Sequence, residues 1–161
     1  MSTVGTRGKW AEAKVKDVLL KLETSDAKFT FNRVQDAHAA GGRFVAQAGD
    51  FQAFRFLNGV RRNFLIEIKE VAHDFRLSYN NFTGDKVARM WKRSLAGSEC
   101  LVFVYHTTSK VWREVPFEVF LSRPITAGSW DLSTYPTGNI SNLLQESLSA
   151  SKEYTFDRGP I

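Results

Sequence analysis

The sequence predicts an α/β fold, a mixed central β-sheet flanked by helices, and three features carry that expectation. An amphipathic helix runs from Trp10 to Leu22, two β-like runs flank Asn58 and Gly59, and a helix after Thr83 leads into a second pair of strands. At 161 residues, the chain has the size of one ordinary domain.

In the leading helix, Val15, Val18, Leu19 and Leu22 form one apolar stripe, with Lys14, Lys16, Asp17 and Lys21 away from it. Glu12 falls on the stripe, where a carboxylate is costly unless something pairs with it. A surface pair with Lys16 at i, i+4 is the alternative, and the helix alone leaves the two open. Lys28 to Val34 alternates as a strand, and an Ala- and Gly-rich loop follows at 36–42. The runs Phe44 to Leu57 and Val60 to Val71 are joined by Asn58-Gly59, the pair that a type I′ hairpin turn favours because both central residues need positive φ.

The stretch from Phe75 to Phe82 is ambiguous. Thr83 can cap a helix to about Leu95 with Val87, Met90, Trp91 and Leu95 as its stripe. Cys100 to His106 reads as a buried strand paired with Val111 to Val115, which Pro116 ends. Trp91 and Trp112 are expected in the core. From about residue 123 the composition turns to Ser, Thr, Gly and Pro, so 123–161 is expected to be an irregular extension with one short helix near Ser141 to Leu148.

Composition narrows the function. With 43% hydrophobic and 24% charged residues and no apolar run long enough to span a bilayer, neither a disordered nor a membrane protein is indicated. The opening MSTVGTRGKW lacks an apolar signal core, so an intracellular protein is expected. A lone Cys100 excludes an internal disulfide, and His38, His73 and His106 lack the spacing of a helical metal pair. The net charge of +5 suits a polyanionic partner.

The chemistry sits on the hairpin. A Glu-x-Lys triplet such as Glu67, Ile68 and Lys69 means little alone, but a two-residue turn without a bulge sets Asp50 opposite Glu67. Asp50, Glu67 and Lys69 then share one face, while Phe51, Ala53, Leu57, Val60, Phe64, Ile66 and Ile68 share the other, the packed one. Facing carboxylates repel unless a cation lies between them, and a hard divalent ion is the natural occupant. An ordinary surface ladder, in which Lys69 neutralises Glu67, remains the competing account.

The run GDFQAFRFLNGVRRNFLIEIKE, residues 49–70, resembles the core of the PD-(D/E)XK nucleases, and most closely the RecU-type Holliday junction resolvases. Arg7, Gly8 and Glu12 resemble that family's Arg-Gly and helical Glu, and the order of elements is similar over roughly residues 7–121. The sequence departs at Lys86, where those proteins commonly carry a Gln, and the residues after Arg123 have no counterpart.

The resemblance implies a restriction-endonuclease-like fold and a structure-selective DNA endonuclease that resolves four-way junctions. It implies Mg²⁺, with Mn²⁺ able to substitute, held by Asp50, Glu67 and the carbonyl of Ile68, with Lys69 positioning water and Glu12 assisting. Arg7, Lys9, Arg61, Arg62 and Lys86 are candidate DNA contacts. Symmetric cutting of a junction implies a homodimer. A cytoplasmic enzyme of a bacterium or its phage is expected. The alternatives are a nuclease for linear or damaged DNA, and a basic module that grips nucleic acid without cutting it.

Overall fold

In the computed structural model, residues 8–34 and 49–150 are described. Apolar positions three and four apart along Lys9–Ser25 make α1, which buries Ala11, Val15 and Leu19. Three antiparallel strands follow, β1 (Phe29–Arg33), β2 (Phe51–Leu57) and β3 (Val60–Val71). At the turn between β2 and β3, Asn58 has φ 54° and Gly59 φ 78°, as a type I′ turn requires. The turn fixes the register: Leu57 faces Val60 and Phe51 faces Ile66, as the sequence predicts.

After β3 come β4 (Arg76–Ser78), a 3₁₀ turn over Tyr79–Asn81, and α2 (Gly84–Leu95), which carries the chain over to β5 (Glu99–His106). Strand β5 lies parallel to β3 and antiparallel to β6 (Val111–Pro116). The short strands β7 (Ser129–Asp131) and β8 (Thr137–Gly138) then precede α3 (Ile140–Ser149). The mixed six-stranded sheet has the order β1-β2-β3-β5-β6-β8, and β4 and β7 pair separately. The α/β class with helices on a mixed sheet is therefore the observed one. No helix among the described residues is long and apolar enough to cross a membrane.

Three expectations change. Both faces of the sheet are packed, not one: α1 and α3 cover Phe51, Ala53, Phe64, Ile66 and Ile68, while α2 and the segment at 117–132 cover Leu65, Val102, Val104 and Val115. Trp112 is buried as expected, but Trp91 is 38% and Leu95 68% exposed. At 100° per residue, the arc of α2 that faces the sheet is centred near Met90 and takes in Lys86 and Val87. That rotation carries Trp91 and Leu95 outward.

The third correction concerns the expected irregular extension, which through residue 150 is part of the fold. Helix α3 is capped by Asn139, whose Oδ1 accepts from the Ser141 and Asn142 N–H groups, and it buries Leu143, Leu144 and Leu148. Residues 151–161 lie outside the described chain. Leu144→Ala is expected to cost about 2–5 kcal/mol in urea unfolding, as for any fully buried leucine. A loss below about 0.5 kcal/mol, typical of a surface site, would show that α3 is only loosely attached.

Candidate active site

The hairpin register ends at Phe51, so the expected ladder pairing of Asp50 with Glu67 does not form; Asp50 sits just beyond it, held from both sides. Its N–H donates to the Ile66 carbonyl at 2.8 Å, and its carbonyl accepts from Val34 N–H at 2.9 Å. Gly49 allows this departure from the ladder: its φ is +87°, and a Cβ there would come within 3.2 Å of the Ile66 carbonyl oxygen. Continuing the register would set residue 49 against Ile68, whose N–H instead donates to Asp50 Oδ2 at 2.7 Å. One carboxylate oxygen is thereby fixed to the backbone, and Oδ1 remains free of that bond.

Glu67 follows on the same sheet face by alternation, at the level of Val102 on β5. Because α2 roofs that face, Glu67 is fully buried, and neither of its carboxylate oxygens makes a hydrogen bond. The nearest cation is not the one the triplet suggests. Lys86 of α2 places Nζ 2.7 Å from Glu67 Oε2, a close ionic contact outside hydrogen-bond geometry, and 3.9 Å from Asp50 Oδ1. Lys86, expected as a phosphate contact, is thus a partner of the acidic pair. The Glu12-Lys16 and Glu67-Lys69 surface pairs are likewise not the ion pairs formed.

Lys69 lies over the Phe82 ring, with Nζ 4.9 Å from its centroid. Burial lowers its pKa, against the pull of the Glu67 charge. Burial, followed by the neighbouring Asp50 charge, raises the Glu67 carboxyl from 4.5 to about 8, and the ammoniums of Lys69 and Lys86 offset only part of this. For Lys86, burial acts downward, but the Glu67 and Asp50 carboxylates outweigh it and hold the amine above its ordinary range. Two carboxyls and two amines therefore share one largely buried group in which ionisation of Glu67 is the unfavourable event.

Glu12 stands at the edge of this group. Its carboxylate pairs with Arg33 Nη2 at 3.3 Å, and its pKa is raised by partial burial and by Asp50. Lys9, Lys16 and Arg33 line the same shallow cleft as Glu12 and Phe51, which sets cations around the acidic group. Glu70, the last residue of the Glu-x-Lys-Glu run, accepts from Gly8 N–H at 2.8 Å and ties the start of α1 to β3. Arg33 carries no sequence signal, since nothing in a strand's alternation marks which basic residue will meet a helix carboxylate.

The remaining candidate contacts lie in different settings. Arg61 is exposed near the hairpin turn. Arg62 donates through Nε and Nη2 to both oxygens of Glu99, at 2.8 and 2.7 Å, and stacks on Phe64, so its guanidinium is engaged within the fold. Lys9 is exposed at the start of α1, and Arg7 lies outside the described residues.

A divalent ion fits what is present. Two buried Glu67 oxygens lack hydrogen bonds, and Asp50 Oδ1 faces the same place. Among the described residues, no three His, Cys, Asp or Glu side chains form a metal cluster, so a backbone oxygen or solvent must complete any shell.

No protein-family model and no curated protein matches the chain. Among solved structures it is similar to Hjc, a Holliday junction resolvase of the archaeal hyperthermophile Archaeoglobus fulgidus, with 24% identity and a TM-score of 0.49 over 80% of this chain and 94% of that one.

Proposed function

We propose that this protein is a metal-dependent DNA endonuclease whose active site is the pocket of Asp50, Glu67, Lys69 and Glu12. The observation that carries the reading is Glu67: a fully buried carboxylate beside a second carboxylate, met by a single ammonium on one oxygen and by no hydrogen bond on Oε1, is a poor structural element and a good cation ligand. Asp50, Glu67 and the Ile68 carbonyl would hold Mg²⁺ or Mn²⁺, which supplies an acidified water and neutralises charge on the phosphate. Lys69 holds its amine over the Phe82 ring within the electrostatic reach of Glu67, where it can orient water or meet the developing phosphate charge. Glu12 can accept a hydrogen bond from water at the rim, with Arg33 keeping its carboxylate in place.

Lys9 and Arg61 are exposed and suited to phosphate contacts, and the net charge of +5 favours a polyanion generally. The substrate we infer is branched DNA, cut as a four-way junction by a symmetric dimer. This finer reading follows the residue pattern of the Asp50 to Glu70 hairpin.

A second reading has one observation in its favour. Lys86 already neutralises the acidic pair, so the cluster is internally compensated, as in a basic module that binds DNA without cutting it. A gel assay on a four-way junction, a flap and a linear duplex, each with Mg²⁺ and with EDTA, separates the readings. Cleavage with Mg²⁺ alone, fastest on the junction, is the expected result. Binding without cleavage of any substrate supports the second reading, and equal rates on junction and linear duplex remove the resolving role.

A further inference from the structure

The sheet face that carries Asp50 and Glu67 continues beyond the pocket toward the hairpin turn. By strand alternation Gln52, Phe54 and Phe56 of β2 follow Asp50 on that face, and Asn63 and Arg61 precede Glu67 on β3. Thr30 of β1 faces Phe54, and Phe56 N–H bonds to the Lys28 carbonyl. Helix α2 roofs the face over β3 and β5, and its apolar cluster includes no residue of β1 or β2. Phe54 and Phe56 are consequently 38% and 39% exposed in a cleft they share with Lys28, Thr30, Arg61 and Asn63.

We propose that this cleft binds unpaired DNA, with Phe54 and Phe56 stacking on bases and Lys28 and Arg61 contacting the flanking phosphates. Aromatic platforms within a basic groove bind single strands in this way, because every base offers a π-face and every nucleotide a negative charge. Among the described residues that line the cleft none is a carboxylate, the lining residues Arg55 and Arg62 being paired with Asp26 and Glu99 behind it, while Lys28 sits over the Phe56 ring, 5.0 Å from its centroid. A second copy of the chain is the other natural occupant of an exposed aromatic face. At a two-fold interface the patch would meet itself and oppose its own cations without an acid to pair them, so the charge favours a polyanion.

Position adds to the argument. At about 3.4 Å per residue, Phe54 and Phe56 lie roughly 14 and 20 Å along β2 from Asp50. A strand entering the cleft therefore runs along one continuous face to the candidate active site, as an opened branch of a junction would. The inference rests on the nuclease reading for the nature of the ligand, but the binding it describes needs no cleavage.

The test is fluorescence anisotropy with labelled oligo-dT of twenty nucleotides and a blunt duplex of equal length, in EDTA, for the full chain and for Phe54→Ala/Phe56→Ala. Both rings are exposed, so the fold should survive, and circular dichroism checks that it does. The double variant is expected to bind oligo-dT more weakly by about tenfold or more, in line with stacking energies per base. Duplex binding should change less than twofold. Phe56→Trp is expected to keep oligo-dT affinity and to lose tryptophan fluorescence on binding. Unchanged oligo-dT affinity in the double variant, equal losses on both probes, no binding of oligo-dT by the unaltered protein, or a fall in sedimentation mass on removing the rings would each overturn the proposal. If the unaltered protein binds oligo-dT through these rings yet cuts no DNA with Mg²⁺, the nuclease reading fails and the cleft stands. Cutting with no effect of the rings gives the reverse.

Discussion

Glu67→Gln is expected to abolish DNA cleavage while making the metal-free protein more stable at pH 8. The activity loss follows from the proposed role: an amide is a far weaker ligand for a hard cation than a carboxylate, so the rate should fall by roughly a thousandfold or more. DNA affinity should hold or improve, because a negative charge has gone from a basic protein. The stability gain follows from burial. A carboxyl raised from 4.5 to about 8 is favoured in its protonated form, so its contribution is intact below the lower value and is lost as pH climbs to the upper one. At pH 8 the gain on removing the charge is on the order of 2–5 kcal/mol, with the upper end set by 1.36 kcal/mol per pKa unit. Urea unfolding of both proteins at pH 5 and pH 8 should show a difference at pH 8 that shrinks toward zero at pH 5. Equal stability at both values, with cleavage retained, would make Glu67 an ordinary buried carboxyl.

Much of this site could be read from the sequence because a two-residue turn and strict alternation leave a hairpin little freedom. Asn58-Gly59 fixes which residues face each other from Leu57 and Val60 to Phe51 and Ile66, but Asp50 lies past the end of that ladder, where Gly49 turns the chain and the Asp50 carboxylate reaches the Ile68 N–H. Alternation sets Glu67 and Lys69 on one face. The environment of that face was less accessible to such reasoning. Nothing local to β3 shows that α2 folds over Glu67, and the buried carboxylate depends on that long-range contact. Lys86 stands out in the sequence as a departure from the resolvase pattern, but its partner depends on the rotation of α2, which no local signal sets. The same rotation moved Trp91 out of the core. In the C-terminal part, the Ser-, Thr-, Gly- and Pro-rich stretch hid short ordered strands, although Asn139 ahead of Leu143, Leu144 and Leu148 was a usable helix-start signal.

Metal binding should depend on pH in a way that exposes the role of Lys86. A divalent ion at Asp50 and Glu67 must replace the proton on Glu67 below about pH 8, so the rise in melting temperature with millimolar Mg²⁺ should grow from pH 6 to pH 8 and then level off. A site filled to a hundred times its Kd gains about 2.7 kcal/mol, or roughly 5–10 °C for a chain of this size. Above pH 8 the remaining competitor is the Lys86 ammonium, 2.7 Å from Glu67. In Lys86→Met that competitor is gone, but so is the cation that helped to lower the Glu67 pKa, which therefore rises further. The two effects oppose each other below pH 8, where the variant should respond to Mg²⁺ much as the unaltered protein does. Above pH 8 the unaltered protein has already lost the Glu67 proton, whereas the variant, with its higher Glu67 pKa, is still losing it, so the Mg²⁺ response of Lys86→Met should keep climbing to pH 9 instead of levelling. Melting curves with and without Mg²⁺ at pH 6, 7, 8 and 9, with Glu67→Gln as the unresponsive control, read this directly. Superimposable profiles for the two proteins would mean that Lys86 and the metal do not compete for the same carboxylate.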